Sequence, residues 1–409
     1  MSATVSASID ERAVAAAFDP NRLTAGFYAD PYPIYTALRK ADPVHRCPDD
    51  SYFLTRYADL DQIYRDRQHF SSDKKMAFAP KFGASSALYE HHTSSLVFND
   101  PPYHARVRRQ IVGALTPQVL NSMEPGIVSL VDSLLNRMLE NRSFDLIRDF
   151  AAAIPIEVIG NLLRVPREDR APLRDWSLAI LGALESAPSV TQLSAGNRAV
   201  REFCDYLRIL VADRRRHPGN DADILTRLLR DGEMSEPELL HNCIFLLNAG
   251  HETTTNLIGN SLHALLQRPA CLAQLRDSPR LIGSAVEEFL RFESSNQLGN
   301  RLVIERVAIG GVAFEPGTYL TLCIGAANRD PDEFAAPNEI DITRSPNRHL
   351  AFGAGAHACA GMSVARLEAR IAILAAIQRL PGLHLTDAPT RDARARFRGF
   401  RSLPAAVSG

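Results

Sequence analysis

The sequence predicts a mainly α-helical fold with a minor β region, built as one large unit. Three observations carry that reading. Apolar residues recur at helical spacing through most of the chain beyond residue 30. One such segment, opened at Ser235, runs about 32 residues and so spans on the order of 48 Å at 1.5 Å per residue, enough to cross a whole domain. Strand-like alternation is confined to 51–57 and to short runs within 302–323. The 409 residues leave room for two or three domains, but no repeat or low-complexity linker divides them.

Taken in order, residues 1–12 lack a core-forming pattern and are expected to be mobile, with a single domain over 13–409. Residues 31–40 (PYPIYTALRK) have helical spacing, and 51–57 (SYFLTRY) alternate as a strand does. Residues 75–98 have no stable period and many Gly, Ser and Ala, which predicts a long loop of the kind that usually serves function. Helical pattern returns over 104–115 and within 125–140, 147–164 and 195–216, and His217-Pro218-Gly219-Asn220-Asp221 then breaks the chain. Ser235-x-x-Glu238 is a capping box with Pro237 inside the first turn, and Arg268-Pro269 closes the long helix. Further helices are predicted over 280–292 and 361–380, with short strands at 302–323 around Gly310-Gly311 and Pro316-Gly317.

Charge and cysteine usage exclude several classes. Forty-six Lys+Arg against 47 Asp+Glu give a net charge of −1, which argues against a nucleic-acid binder or an acidic tail. Six cysteines are too few for a disulfide scaffold, so a reducing, cytoplasmic setting is expected. Asp10, Glu11 and Arg12 sit where a signal sequence would be apolar, and no run approaches the roughly 18 apolar residues of a membrane span.

Phe352-Gly353-Ala354-Gly355-Ala356-His357-Ala358-Cys359-Ala360-Gly361 precedes a helical stretch. Its glycines allow backbone conformations and close approaches that a Cβ would block. Cys359 lies at a helix N-terminus, where free N–H groups favour a thiolate. A lone cysteine is most often a buried structural thiol. Here the complete pattern F-G-x-G-x-H-x-C-x-G resembles the heme-binding loop of the cytochrome P450 monooxygenases. The resemblance implies that fold, with one heme b buried between the long helix and the Cys-containing loop and helix. Cys359 is then the axial iron ligand, with Phe352, Gly353 and Gly361 shaping its loop.

Other segments extend the resemblance. Glu288-Phe289-Leu290-Arg291 resembles the family's E-x-x-R pair, whose i, i+3 spacing puts both side chains on one helix face. Arg329, in Ala327-Asn328-Arg329-Asp330-Pro331, is expected by position to join that network, and Arg398 to Pro404 resembles the family's C-terminal β segment. Ala249-Gly250-His251-Glu252-Thr253-Thr254 on the long helix is similar to A-G-x-[D/E]-T-T. Gly and Thr weaken a helix there, and the Thr253 hydroxyl can bond the carbonyl of Ala249. The resemblance implies an oxygen-binding groove, with Thr253 hydrogen-bonding dioxygen and Glu252 relaying protons. His104 and Arg108, Arg301 and His357 match the family's partners for the heme propionates; Tyr103 departs from the acidic residue that many relatives carry. Asn248, Asn296 and Gln297 are candidate substrate contacts, and the remaining histidines, His91 and His92 among them, read as surface or packing residues.

The chain carries no flavin or iron–sulfur motif, so electrons are expected from a ferredoxin or flavodoxin with its reductase. Arg106, Arg109, Arg366 and Arg370 form a candidate docking face for it. The resulting reading is a soluble, monomeric, bacterial-type monooxygenase that inserts one atom of O2 into a small hydrophobic substrate. A peroxide-driven peroxygenase of the same fold or a heme-binding sensor are the alternatives, and the Glu252-Thr253 pair argues against both. Residues 75–98, 175–200 around Trp176 and 294–299 are expected to shape the pocket without naming its substrate.

Overall fold

The computed structural model describes residues 10–185, 187–219 and 224–408. Its organising element is the helix Glu236–Leu266, opened by the expected capping box: Ser235 accepts from the Glu238 N–H while the Glu238 carboxylate accepts from the Ser235 N–H. This central helix is buried on most sides, from Leu239 to Leu265. Helices Ala153–Leu162, Leu173–Gly182, Val190–Arg216, Ile282–Phe292 and Met362–Arg379 pack around it. The main core is made of their facing Leu, Ile, Val and Phe side chains.

A second core lies under a five-stranded sheet ordered Val44–Arg46, Tyr52–Leu54, Tyr319–Cys323, Leu298–Val303 and Phe70–Ser71. Tyr52–Leu54 runs parallel to Tyr319–Cys323, while Leu298–Val303 pairs antiparallel with it, Arg301 opposite Leu320. A smaller sheet joins Ser143–Asp145 and Leu383–Leu385 to the tail strand Pro404–Val407.

The structure departs from the sequence reading at several points. Residues 75–98 are not a long loop. They form helices Lys75–Phe82 and Ala87–Ser94 and a 3-10 turn Leu96–Phe98. Ser86 caps the second helix by accepting from the Tyr89 N–H, and Phe78, Phe82, Leu88 and Leu96 are buried. Burial of these scattered apolar residues stabilises helices that local propensity leaves marginal. The 51–57 strand stops at Leu54, and Tyr57 begins a helix, Tyr57–Arg65. The pattern at 147–164 divides into a π-helical segment, Leu146–Ala151, and a following α-helix. Asp10 caps a helix Glu11–Ala16 whose Glu11 pairs with Lys40 at 2.7 Å, so ordered structure begins before residue 13; residues 1–9 lie outside the described residues. The break at 217–221 follows the end of Val190–Arg216 as expected, with Asn220 and Asp221 outside the described residues.

Glu288 and Arg291 form the expected pair, both fully buried. Arg291 Nε and Nη2 each donate to the Glu288 carboxylate at 2.8 Å. The other Arg291 donors go to the carbonyls of Asn328, Pro337 and Glu339 at 2.8–3.0 Å. Arg329 does not join this network. Its guanidinium donates to the Phe292 carbonyl and lies 3.3 Å from the ring centroid of Tyr32, near Glu293. Arg344 fills that place, donating to Glu288 at 3.0 Å beside Asn347 Nδ2 at 3.0 Å and the Asp341 N–H at 2.8 Å. Removing one partner of a buried ion pair strands the other, at a cost of about 3–5 kcal/mol. Glu288→Ala is therefore expected to lose stability on that order in urea or thermal unfolding; a midpoint equal to that of the unmodified protein would contradict the structural role of the pair.

Candidate active site

A cavity of about 350 Å³ lies between the central helix and the 352–361 loop. Gly353 and Gly355 have φ of 64° and 67°, and a Cβ on Gly355 would sit 2.3 Å from the Tyr64 carbonyl oxygen. Only glycine lets this loop press against the end of Tyr57–Arg65. The loop then closes on itself, with the Cys359 N–H donating to the Phe352 carbonyl at 2.9 Å. Cys359 lies on the cavity wall, two residues before Gly361, which caps Met362–Arg379. Burial pushes its thiol up, while the Gly361 N–H, Arg108 and Arg366 pull the other way. A bound metal ion would favour the thiolate by displacing this proton.

Opposite this loop, Asn248, Ala249, Gly250, Thr253 and Thr254 line the cavity. Thr253 Oγ1 donates to the Ala249 carbonyl at 2.8 Å, as its position one turn on predicts. A Cβ on Gly250 would meet Ile159 Cδ1 at 2.5 Å, so the helix and Ala153–Leu162 approach closely here. Glu252 does not line the cavity. Its carboxylate is held from the other side by Arg394 at 3.3 Å and Asn256 at 3.5 Å. Burial raises its pKa, with Arg394 opposing. His251 is likewise buried off the cavity.

The polar rim is cationic. His104 and His357 stack with centroids 3.8 Å apart, and Arg108 and Arg301 line the same cavity. Burial, then neighbouring cations, pushes His104 down to about 4 and His357 down to about 2, so both rings are neutral at physiological pH. Arg301 lies 5.0 Å from the centroid of the Tyr64 ring, and His357 Nε2 is 3.9 Å from Asp100. His104 Nε2 is buried without a partner, and no ion pair engages Arg108 or Arg301 among the described residues. A soft sulfur donor, apolar walls and two unpaired guanidiniums fit a flat macrocycle bearing two carboxylates, as heme does.

On the substrate side, Asn296 lines the wall with its Oδ1 buried and unpartnered, and Asn248 Oδ1 accepts from Ser177 at 2.7 Å. Gln297 is not brought to the site. Its amide donates to the Ser294 carbonyl at 2.7 Å and its backbone N–H to Arg396 at 2.8 Å, so it satisfies local groups instead. Lys74, Glu368 and Arg396 on the wall escaped the sequence analysis, and His91 and His92, read there as surface or packing residues, are buried and line it too. Glu368, fully buried, has its carboxyl pushed well above the usual range by burial. Its helical spacing from Val364 and Ala365, which also line the cavity, could have flagged it; the others lie in segments without a usable period.

The expected cationic face is partly neutralised. Arg106 pairs with Glu238 at 2.6 Å, Arg109 with Glu233 at 3.3 Å and Arg366 with Glu287 at 2.7 Å, while Arg109 and Arg370 remain exposed. Burial alone would raise the Glu287 carboxyl, but hydrogen bonds from His349 and Arg366 outweigh it and hold it at about 2. A depressed acid stabilises the fold above its ordinary value, here 4.5, and that contribution is lost as pH falls toward about 2. The stability difference between the unmodified protein and Glu287→Gln should accordingly fade over this acid window; a pH-independent difference would contradict it.

The sequence and structure have clear relatives. The cytochrome P450 family model matches residues 189–397. The chain is 38% identical over 383 residues to a biotin biosynthesis cytochrome P450 of Bacillus subtilis (strain 168), covering 92% of this chain and 95% of the relative. It is 35% identical over 402 residues to the cytochrome P450 monooxygenase PikC of Streptomyces venezuelae, covering 94% and 93%. Among solved structures, P450BioI in complex with hexadec-9Z-enoic acid ligated acyl carrier protein superposes with a TM-score of 0.90 at 36% identity, over 94% of this chain and 100% of that one.

Proposed function

The chain belongs to the cytochrome P450 family and is a heme-dependent monooxygenase, and we propose that Cys359 would ligate the heme iron and that Glu252 and Thr253 are its proton-delivering pair. The single observation that carries this assignment is the cavity itself, which has the Cys359 thiol on one wall, Thr253 on the opposite wall and Arg108 and Arg301 at its rim. Bound heme supplies the redox centre at which O2 is reduced and one of its oxygen atoms is transferred to a hydrophobic substrate. His104, Arg108, Arg301 and His357 hold the two propionates, the guanidiniums supplying charge and the neutral rings supplying N–H donors. The glycines of the 352–361 loop admit the macrocycle close to the backbone.

Thr253 now donates to Ala249, and its hydroxyl is free to rotate and present the proton to the cavity. Glu252, with its raised pKa, holds a proton more tightly than a surface carboxylate and would turn from Arg394 to pass it toward Thr253. Arg394, at the partly exposed end of this pair, links Glu252 to the solvent side. Asn296 offers its unpaired Oδ1 to a substrate donor, while Phe98, Leu181, Leu184 and Phe245 form apolar walls for the substrate body. Ala249 and Gly250 leave the groove free of large side chains.

Electrons arrive from a separate redox partner, for which we propose an acidic ferredoxin or flavodoxin, with its reductase, seated against Arg109 and Arg370. The enzyme acts as a cytoplasmic monomer in this reading. No helix among the described residues is long and apolar enough to cross a membrane.

The reduced, carbon-monoxide-bound protein should show the long-wavelength Soret band of thiolate-ligated heme, lost in Cys359→His; a histidine-type spectrum in the unmodified protein would refute the ligand. Thr253→Ala should retain heme and substrate binding but divert electrons to hydrogen peroxide. Product formed per reducing equivalent is the measurement, and unaltered coupling would remove Thr253 from the relay.

A further inference from the structure

Once the site has taken a group with two carboxylates, two of its cations remain unmatched. Arg108 and Arg301 answer the two negative charges one for one; Lys74 and Arg396 are left over. Neither forms an ion pair among the described residues. Lys74 is 2% exposed, its Nζ has no hydrogen-bond partner, and it lies 5.0 Å from the centroid of the Tyr319 ring. The acids nearest to it are engaged elsewhere: Asp100 accepts from Ser71 and from the Ser72 N–H, and Asp73 pairs with Lys75 at 2.7 Å. Arg396 Nη1 donates to the Leu298 carbonyl at 2.8 Å and Nη2 to Asn300 Oδ1 at 2.5 Å, while its Nε is buried without a partner.

Arg396 and Arg301 line the same cavity but are held by different residues of the strand Leu298–Val303 and its surroundings. Asn300 and Arg301 are successive strand residues and leave opposite faces. Arg301 goes to Tyr64, and Arg396 sits with Asn300. Two neutral donors lie on the same cavity wall with buried, unpartnered atoms: Ser72 Oγ and His92 Nε2. Buried cations without counter-charges are expensive, and they are retained where a ligand supplies the charge.

We propose that Arg396 and Lys74, assisted by Ser72 and His92, hold the carboxylate of an amphiphilic substrate whose apolar body fills the rest of the cavity. The inference rests on the heme assignment, because it counts the cations left after two propionates. Burial, then Arg301 and Arg396, pushes the Lys74 ammonium well below its ordinary range, and a bound carboxylate would oppose that shift. The partnerless Arg396 Nε, with the remaining Nη hydrogens, provides the fork that grips a planar oxyanion.

The test is a titration of the purified holoenzyme with dodecanoic acid, methyl dodecanoate and dodecanol, followed by the substrate-induced change in heme absorption. The acid should bind at least about tenfold more tightly than the ester or the alcohol, the scale of one charge-assisted contact. Arg396→Gln should reduce that gap to about twofold or less, and Arg396→Lys should keep part of it, with heme content and the carbon-monoxide spectrum unchanged in both. Equal binding of acid and ester, or a gap that survives Arg396→Gln, overturns the proposal. Loss of heme in Arg396→Gln assigns the residue to the cofactor and overturns it too. A failed heme assignment is recognised separately, by a spectrum without thiolate character in the unmodified protein. Should Arg396→Gln not fold, Lys74→Met in the same titration decides: a narrowed gap supports the subsite and an unchanged one overturns it.

Discussion

A guanidinium buried to zero exposure must have every donor answered, and Arg291 meets that demand with Glu288 and three backbone carbonyls. The requirement fixes more than a helix. Its carbonyl partners belong to Asn328, Pro337 and Glu339, so the irregular stretch ahead of the Cys359 loop is folded around one charge pair. The Asn328 side chain then accepts from the Leu350 N–H at 2.7 Å, and the Leu350 carbonyl accepts from the Gly353 N–H at 2.8 Å. A continuous set of hydrogen bonds runs from the ion pair to the loop that presents the thiol.

The cavity obeys a different rule. Around Glu288 the charges are matched within the protein, whereas around the cavity burial acts on groups whose partners lie outside the chain. The neutral state of His104 and His357, the pushed-up Cys359 thiol and the unpaired guanidiniums at the rim follow from that one condition. Each becomes favourable when a metal ion and two carboxylates are supplied. The 352–361 loop and the cationic rim are thus two halves of one requirement, with His104 and Arg108 of the rim more than two hundred residues from the loop in sequence.

The parts legible in the sequence are those where chemistry restricts residue type. Glycine is needed at 353 and 355 by positive φ, a capping box by an exposed helix start, and Glu288-x-x-Arg291 by a shared helix face. Where several residues can satisfy the same rule, position decided wrongly: Arg329 and Arg344 are both arginines of the same stretch, and only folding brings Arg344 to Glu288. Asn296 and Gln297 illustrate a related limit. Neighbours in an extended segment point opposite ways, and no periodic pattern there says which one faces the cavity. The helices within 75–98 were hidden because packing of Phe78, Phe82 and Leu88, not propensity, stabilises them.

The central helix is packed on nearly all its sides by other helices, and Gly250 locks it against Ile159. A wall held in this way cannot move aside to admit a molecule without breaking the main core. The short helices Lys75–Phe82 and Ala87–Ser94 belong to the same frame, with Phe78, Phe82 and Leu88 buried in the main core. Fit to a bound molecule is therefore left to the side chains that line the cavity, not to movement of the helix that bears Thr253.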